Sequence, residues 1–388
     1  MTPAASAKPR IVIVTHEFAP FRGGVATYSA ELAVALHRAG EAVEVWAPDY
    51  GAPNASDEFA FPVARLRAGG SLGFWDMVQF ARQLVARREQ LEPATVLLTS
   101  VGAHMAFMIF MPLGHVKCRR ILSLLHVSEV LRFERNPFWK FWALRFFPRV
   151  ACVLTVSRFS KSLIERSFLS PLIQQLVMAP CSCSTAAMQS VPMAKPKDDK
   201  IRVLTLARVH PRKGQLDTAQ ALALLPPELR EKVIYQVGGK GDTEYLRRVE
   251  QTCRDTGVAL DYLGEITDTL ARTYQQCDIF AMTSRTLPKS VEGFGITYLE
   301  AGFHGKPVVG YRSGGAAEAV IDGETGLLIE EGNVAALAKA LQQLVTDPVL
   351  RQRLGEGGRR HTGQFSWDAT ARIIIEAAHK KSGLTFCV

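Results

Sequence analysis

The stretch that decides the fold is Ile11-Val-Ile-Val-Thr15, followed by Gly23-Gly24 and then by Ala42-Val-Glu-Val-Trp46. The first run is apolar and mostly β-branched, as expected for a strand buried on both faces of a parallel sheet. Between the two runs, apolar residues recur at helical spacing over residues 25–39, and Gly40 is a suitable C-terminal cap. This order predicts a βαβ unit at the start of the chain.

The second half of the chain begins in the same way. Ile201-Arg-Val-Leu-Thr-Leu-Ala207 predicts a strand, which is followed by a loop and a helix over about 215–225. The next predicted strand, Val233-Ile-Tyr-Gln-Val237, runs into Gly238-Gly239-Lys-Gly241. Further strands are predicted at 95–99, 120–125 and 151–156 in the first half, and at 259–263, 278–283 and 307–311 in the second.

Alternating strands and helices predict an α/β protein with two doubly wound, Rossmann-like domains. A length of 388 residues fits two domains. The Ser-, Pro- and Lys-rich residues 182–199 are predicted to link a first domain, 1–190, to a second, 200–365. Ligands bind at the carboxyl ends of parallel strands, so we expect the domains to face each other across a ligand-binding cleft.

Composition limits where the protein is expected to act. No apolar run reaches the ~18 residues that a membrane-spanning helix needs, and the N-terminus lacks the apolar core of a signal peptide. The seven cysteines are odd in number and show no Cys-x-x-Cys spacing. These features predict a cytoplasmic protein with reduced thiols.

The net charge of +9 is concentrated in one region, because residues 115–166 hold 11 basic and 3 acidic residues. Within it, residues 132–149 combine five basic residues with seven large aromatic ones. Aromatic rings and cations together are typical of a surface that binds anionic lipid, which predicts a peripheral membrane protein that docks through 115–149. The alternative is a buried helix whose arginines point outward. No nucleic-acid-binding motif accompanies the charge.

The most informative motif is Glu292-Gly-Phe-Gly-Ile-Thr-Tyr-Leu-Glu300. We expect Glu292 in a loop and a helix beginning near Gly295, so that Gly293 and Gly295 let backbone N–H groups approach a phosphate. Glu300 would lie one to two turns into the helix. The plainer interpretation is a loop, a helix and two surface acids.

Other candidates lie at the predicted strand ends. Arg208 and Lys213 flank a strand-to-helix loop, where an arginine fork and a lysine charge can hold phosphate oxygens. Gly23-Gly24 offers N–H groups before the first helix, and His126 follows the strand at 120–125. Taken singly, the cations fit a solvated surface, the glycines a tight turn and the histidine a structural role.

The chain contains no Asp-x-Asp pair, no His-Glu-x-x-His motif and no phosphate-binding Gly-x-x-x-x-Gly-Lys-Ser/Thr loop. A bound diphosphate would therefore be neutralised by Arg, Lys and helix dipoles, and we expect no metal and no cofactor.

Taken together, these motifs resemble retaining glycosyltransferase family 4. The segment from Ser290 to Ala301 resembles the family's signature, and Pro307-Val-Val-Gly-Tyr-Arg-Ser-Gly-Gly-Ala-Ala-Glu318 and Gly323-Glu-Thr-Gly-Leu-Leu328 continue it. The remaining matches occur in the family's order and cover nearly the whole chain: Phe21-Arg-Gly23-Gly24, His126, Thr155-Val-Ser157, Arg208-x4-Lys213-Gly214, Gly238-Gly239 and Tyr262-Leu-Gly264. The chain is most similar to phosphatidylinositol mannosyltransferases and related enzymes that glycosylate lipids.

The resemblance implies the GT-B fold, with a C-terminal helix at 366–388 packing back on the first domain. It implies that Arg208 and Lys213 bind the donor diphosphate, Gly24 meets it from the first domain, and Glu292 binds the transferred sugar. His126 would lie near the reacting carbon, and Glu300 would bind the ribose. The same comparison implies donor contacts from Gly23, Ser157, Gly239, Leu263, Gly293, Phe294 and Gly295.

The resemblance therefore implies transfer of a hexosyl group, mannosyl or glucosyl, from a nucleotide sugar to a lipid-linked or glycan acceptor, with retention. Alternatives are a sugar-nucleotide hydrolase or epimerase on the same fold, and a non-catalytic adapter that binds sugar nucleotide or membrane. One departure stands out. Where the family usually has Gly-Val-Asp before the linker, this chain has Cys181-Ser-Cys183-Ser184.

Overall fold

The computed structural model describes residues 9–51, 59–192, 198–266, 269–288 and 290–380. The chain divides into two compact units, one of which extends to Cys181 and resumes at Trp367, while the other spans Ser182–Ser366. The described part of the predicted linker therefore groups with the second unit. Residues 193–197 of that linker, and residues 381–388 of the predicted C-terminal helix, lie outside the described residues.

The described residues of the first unit form a seven-stranded parallel sheet in the order β3-β2-β1-β4-β5-β6-β7. The strands are β1 Ile11–Val14, β2 Val43–Pro48, β3 Val63–Leu66, β4 Thr95–Leu98, β5 Arg120–Leu125, β6 Cys152–Thr155 and β7 Leu176–Met178. The helices are α1 Gly24–Arg38, α2 Phe74–Ala86, α3 Arg88–Leu91, α4 Val101–Phe110, α5 Val127–Arg135, α6 Pro137–Phe146, α7 Arg158–Arg166 and, from the end of the chain, α16 Trp367–His379.

The described residues of the second unit form a six-stranded parallel sheet in the order β10-β9-β8-β11-β12-β13. Its strands are β8 Ile201–Leu206, β9 Val233–Gly238, β10 Ala259–Gly264, β11 Ile279–Met282, β12 Val308–Tyr311 and β13 Gly326–Ile329. Its helices are α8 Gln215–Ala223, α9 Pro227–Arg230, α10 Thr243–Thr256, α11 Leu270–Gln276, α12 Ile296–Phe303, α13 Ala316–Ala319, α14 Val334–Thr346 and α15 Pro348–Thr362.

These two sheets confirm the predicted pair of doubly wound α/β domains. β1 is buried along its whole length, which is why the sequence of this central strand is apolar at every position. Three strands were not predicted, namely β3, β7 and β13, and each lies at an edge of its sheet. These three strands have only three or four residues and are partly buried, so their apolar runs are too short to identify them as strands from sequence.

Within the first unit, α16 packs on α1. Tyr28 is fully buried, and its ring lies edge-on to Trp367 with the ring centres 5.1 Å apart. The Tyr28 hydroxyl donates to the carbonyl of Ala179 at 2.9 Å. Asp368 in the first turn of α16 pairs with Arg38 in the last turn of α1. The C-terminal helix is therefore attached to the first unit by both ring packing and an ion pair.

The strand order reverses between β1 and β4 in the first sheet and between β8 and β11 in the second. In an open parallel sheet, the loops at the carboxyl ends of such strands diverge and leave a crevice. The residues that follow these strands are therefore the first place to look for a site in each unit.

Candidate functional site

A buried cluster of charges forms where the loops after β8 and β11 meet. Glu292 Oε2 accepts hydrogen bonds from Lys213 Nζ at 2.6 Å and from Arg212 Nη1 at 2.9 Å. The Ser284 hydroxyl donates to the same oxygen at 2.9 Å. Glu292 is only 7% exposed, so these contacts act with little screening by water. We call these four residues the charge cluster.

The charge cluster holds Glu292 as a carboxylate. Burial alone would raise its pKa, but the charges of Lys213 and Arg212 hold the pKa well below the ordinary value. Burial also lowers the pKa of Lys213, although Glu292 opposes this shift. Two cations and one carboxylate leave a net positive charge, which can attract an anionic ligand.

The backbone brings the two loops of the charge cluster together. The Arg285 N–H donates to the Arg212 carbonyl at 2.7 Å. Gly214 ends the turn that carries Lys213 with φ +72°, and a side chain there would lie 2.0 Å from the Thr283 carbonyl oxygen. Only glycine allows this close approach, so Gly214 positions Lys213 beside the loop after β11.

Arg208 lies at the border of the charge cluster. It is exposed, and among the described residues it has no ion pair. Its positive charge contributes to the lowered pKa of Lys213, which places the two cations within electrostatic reach. Behind it, Gly239 has φ +129°, and a side chain there would lie 2.1 Å from the carbonyl oxygen of Ala207. Arg208 is therefore available to a ligand that lies beside the cluster.

Glu300, the second carboxylate of the motif, has neutral partners. Its Oε1 accepts from the Ser184 hydroxyl at 2.5 Å and from the Ser184 N–H at 3.3 Å, and its Oε2 accepts from the Tyr274 hydroxyl at 2.7 Å. Glu300 is 4% exposed. Thus Glu292 is bound by cations and Glu300 by hydroxyl groups.

His126 caps α5 directly after β5 in the first unit. Its Nε2–H donates to the carbonyl of Thr99 at 3.2 Å, and its ring lies edge-on to Tyr28. Burial lowers its pKa to about 4, so the ring is neutral at pH 7. With the proton on Nε2, Nδ1 carries a lone pair that can accept a hydrogen bond from a hydroxyl group.

Comparison with known proteins identifies the family of this chain. The family model for glycosyl transferases group 1 matches residues 191–361, and that for glycosyltransferase family 4 matches residues 22–173. The GDP-mannose-dependent alpha-(1-6)-phosphatidylinositol monomannoside mannosyltransferase of Mycolicibacterium smegmatis is 31% identical over 93% of this chain and 96% of its own. The chain belongs to glycosyltransferase family 4.

Solved structures support the same fold for this family 4 glycosyltransferase. Sucrose-phosphate synthase from Thermosynechococcus elongatus superposes with a TM-score of 0.79 at 22% identity, over 95% of this chain and 98% of its own. HepE from Anabaena, in complex with UDP-glucose, has a TM-score of 0.74 at 19% identity, over 95% and 98% of the two chains. The predicted GT-B fold is thus confirmed, and the protein is a glycosyltransferase.

The structure describes three other residues that are predicted to contact the donor of this glycosyltransferase. Ser157 is buried, and its hydroxyl caps α7 by accepting from the Ser160 N–H at 3.0 Å. Phe294 packs its ring against Phe365. Leu263 is half-buried at the end of β10. Their roles in donor binding stay predictions.

The structure places the glycines that are predicted to contact the donor. Gly295 caps α12 with φ +97°, so the helix begins at Ile296, as predicted. Gly293 provides a carbonyl oxygen against which Gly315 packs closely. In the first unit, Gly23 caps α1, and a side chain at Gly24 would contact no described atom within 4 Å. The backbone at Gly24 is therefore accessible.

Sequence reasoning missed four of the residues that bind the two carboxylates. Arg212 could have been found, because it directly precedes Lys213 in the same turn. Ser284 follows β11 at the point where the strand order reverses, which is also a usable signal. Ser184 and Tyr274 leave no local signal, since only the tertiary fold brings them to Glu300.

The aromatic segment at 132–149 forms the end of α5, the whole of α6 and the turn that follows. Phe138, Phe141 and Leu144 on α6 are 54%, 46% and 44% exposed. The Arg145 guanidinium lies over the Phe141 ring at 3.5 Å. On the opposite side, α6 buries Phe146. We call the exposed side the α6 surface. None of the described helices is both long and apolar enough to span a membrane.

Proposed function

We propose that the protein transfers a hexosyl group, mannosyl or glucosyl, from a nucleotide sugar to a lipid-linked or glycan acceptor with retention of configuration. The observation that carries the proposal is the charge cluster, in which Glu292 holds Lys213 and Arg212 at the carboxyl edge of the second sheet. The relative from Mycolicibacterium smegmatis is named as a GDP-mannose-dependent mannosyltransferase, which favours GDP-mannose as the donor.

In this proposal the charge cluster stabilises the leaving group. As the bond to the sugar breaks, negative charge grows on the nucleotide diphosphate. Lys213 and Arg208 would bind that charge, and the N–H groups before α12 would add the positive end of its dipole. Because Lys213 is already held by Glu292, little reorganisation is needed when the charge develops.

Glu292 is poorly suited to act as a covalent nucleophile. Two cations and the Ser284 hydroxyl all contact its Oε2, and its pKa is depressed. We therefore propose that the acceptor hydroxyl attacks from the face that the diphosphate leaves, with the diphosphate taking the hydroxyl proton. Glu292 would orient Lys213 and bind hydroxyls of the transferred sugar. No metal is needed in this scheme, because cations from the chain neutralise the diphosphate.

The donor is best tested by thermal shift with GDP-, UDP- and ADP-sugars, since a ligand that binds only the folded state raises the melting temperature. Transfer is then measured from the stabilising donor to phosphatidylinositol monomannoside, the acceptor that the name of the relative suggests. Labelled product with a retained anomeric configuration supports the proposal. Sugar release at the same rate without acceptor would instead identify a hydrolase, and binding without turnover would identify an adapter.

We further propose that the protein acts at the cytoplasmic face of the membrane, bound through the α6 surface. Exposed rings beside Arg145 and Arg149 fit a layer of anionic headgroups. Replacing both arginines with Glu should abolish co-sedimentation with vesicles that contain phosphatidylinositol. The matched control replaces Arg247 and Arg254, exposed on α10, with Glu. Equal sedimentation of the two variants would refute this surface as the anchor.

A further inference from the structure

Two neighbouring residues after β11, Ser284 and Arg285, hold the charge cluster from one side. The Ser284 hydroxyl donates to Glu292 Oε2 at 2.9 Å. The Arg285 N–H donates to the carbonyl of Arg212 at 2.7 Å, and the Arg212 side chain itself donates to Glu292. A shift of the segment 284–285 would therefore move two of the groups that bind the carboxylate of Glu292.

The side chain of Arg285 attaches this segment to α8. Its Nε–H donates to Asp217 Oδ2 at 2.7 Å, and this is the only ion pair of Asp217 among the described residues. Asp217 lies in the first turn of α8, which begins directly after Gly214 and the turn that carries Lys213. Arg285 thus binds the chain on both sides of Gly214, because its backbone holds the turn and its side chain holds the helix.

The acidic partner of this ion pair is shielded from water. Asp217 is 5% exposed, so its attraction to Arg285 is weakly screened. The carboxylate also faces β12, because its negative charge adds to the burial that raises the pKa of the Tyr311 hydroxyl. Apolar residues of similar volume are often at least as stabilising as a buried ion pair, so stability alone gives little reason for this pair.

We propose that Asp217 and Arg285 form a positioning pair, which holds Arg212 and the loop after β11 in the geometry that the charge cluster needs during transfer. The pair acts through the charge cluster and does not itself contact the substrate. This inference rests on the proposed function, since it takes the charge cluster to stabilise the leaving group. Without the pair, the cations would still attract a diphosphate but would be misaligned with the developing charge. A misplacement of about 1 Å can cost about 10²-fold in rate.

Removal of the pair should therefore affect the rate of transfer more than nucleotide binding. Asp217→Ala should lower kcat by about tenfold or more, while the Kd for GDP stays within about threefold by calorimetry. UDP replaces GDP if only UDP-sugars raise the melting temperature.

The matched control is Asp198→Ala, which removes the ion-pair partner of the buried Arg202 near the amino end of β8. Both variants should melt below the wild type, because each leaves an ion pair broken, but only the control should keep the wild-type kcat. Equal kcat values in the two variants, or a GDP Kd that rises as much as kcat falls, would overturn the proposal.

A double-mutant cycle tests whether the pair acts through the charge cluster. In a Lys213→Ala background, adding Asp217→Ala should lower turnover by less than about twofold, because residues that act through one another are not additive. Effects that multiply would overturn the positioning role. If Lys213→Ala alone keeps the wild-type turnover, the proposed function fails as well. If Lys213→Ala loses turnover and Asp217→Ala does not, only the positioning role fails.

The ³¹P NMR spectrum of bound GDP gives a readout that does not depend on turnover. The chemical shift of the β-phosphate depends on the cations around it, so it should change in Asp217→Ala and stay at the wild-type value in Asp198→Ala. An unchanged shift in Asp217→Ala would contradict the proposal. If that variant does not fold, Asp217→Asn replaces it, since an amide oxygen still accepts from Arg285 without the charge. Wild-type kcat and β-phosphate shift in Asp217→Asn would then overturn the proposal.

Discussion

The carboxyl edges of the two sheets have the same architecture and opposite chemistry. In the second unit, the loops after β8 and β11 bury Lys213 and Arg212 against one carboxylate. In the first unit, the loops after β1, β4 and β5 bury neutral imidazoles and the carboxyl group of Glu129, which forms no ion pair among the described residues. The fold therefore provides a crevice in each unit, and the few residues after each strand decide whether that crevice suits a diphosphate or a hydroxyl group.

The largest effect is expected at the charge cluster of the second unit. Lys213→Ala should lower turnover by about 10²-fold or more, as the loss of one contact to a developing negative charge does. Steady-state transfer assays measure this, with Lys339→Ala, an exposed change on α14, as the control. Turnover near that of the wild type would show that the charge cluster does not stabilise the leaving group.

Glu292→Gln removes the negative charge of the charge cluster and makes the cluster more positive. Arg212 and Lys213 would then lie close together without their carboxylate, so the melting temperature should fall. GDP supplies the missing negative charge and should bind more tightly, by about tenfold or 1.4 kcal/mol. Calorimetry with GDP and a transfer assay should show tighter binding with lost turnover, whereas weaker GDP binding would contradict the assigned charge balance.

Lowering the pH should destabilise the first unit, because its buried histidines are neutral at pH 7. Burial lowers the pKa of His16 and His126 to about 4, and that of His104, a buried residue of α4, to about 3, against about 6.5 in the unfolded chain. The unfolded state therefore binds more protons, and stability present above pH 6.5 is lost as the pH falls towards 4. By this linkage, each histidine lowers the free energy of unfolding at pH 5 by about 2 kcal/mol relative to neutral pH.

The titration of Glu129 should partly offset this loss of stability at low pH. Its pKa is raised to about 8, so its contribution to stability is present at low pH and is lost as the pH rises through 8. Melting curves from pH 7.5 to 5 should therefore fall more steeply in Glu129→Gln than in the wild type. Parallel curves for the two proteins would show that Glu129 does not titrate in this range.

The smallest effect is expected at Glu300. If its carboxylate binds the ribose of the donor, the ribose must replace the hydrogen bonds from Ser184. Ser184→Ala removes one of these bonds, worth about 1 kcal/mol, and should tighten GDP binding by about fivefold. Calorimetry with GDP measures the change. Unchanged or weaker binding would show that Ser184 supports Glu300 and does not compete with the nucleotide.

The sequence predicted the central strands and the start of α12, because continuous apolar runs and glycine positions are local signals. It also predicted that Lys213 and Glu292 meet around one donor. It did not predict that the two side chains pair directly, because their contact joins residues 79 positions apart. It missed Arg212, which the motif comparison passed over, and it did not anticipate that the hydroxyl groups of Tyr274 and Ser184 bind Glu300.

The amino-acid sequence by itself determined the order of strands and helices, the family, and which residues follow each strand, since all of these depend on neighbours along the chain. Only the tertiary structure decided that Lys213 and Arg212 pair with Glu292, and that Glu129 forms no ion pair among the described residues. The physical reason is that parallel strands adjacent in a sheet need not be adjacent in the chain. β8 and β11 pair directly, yet their loops bring together residues separated by two intervening strands.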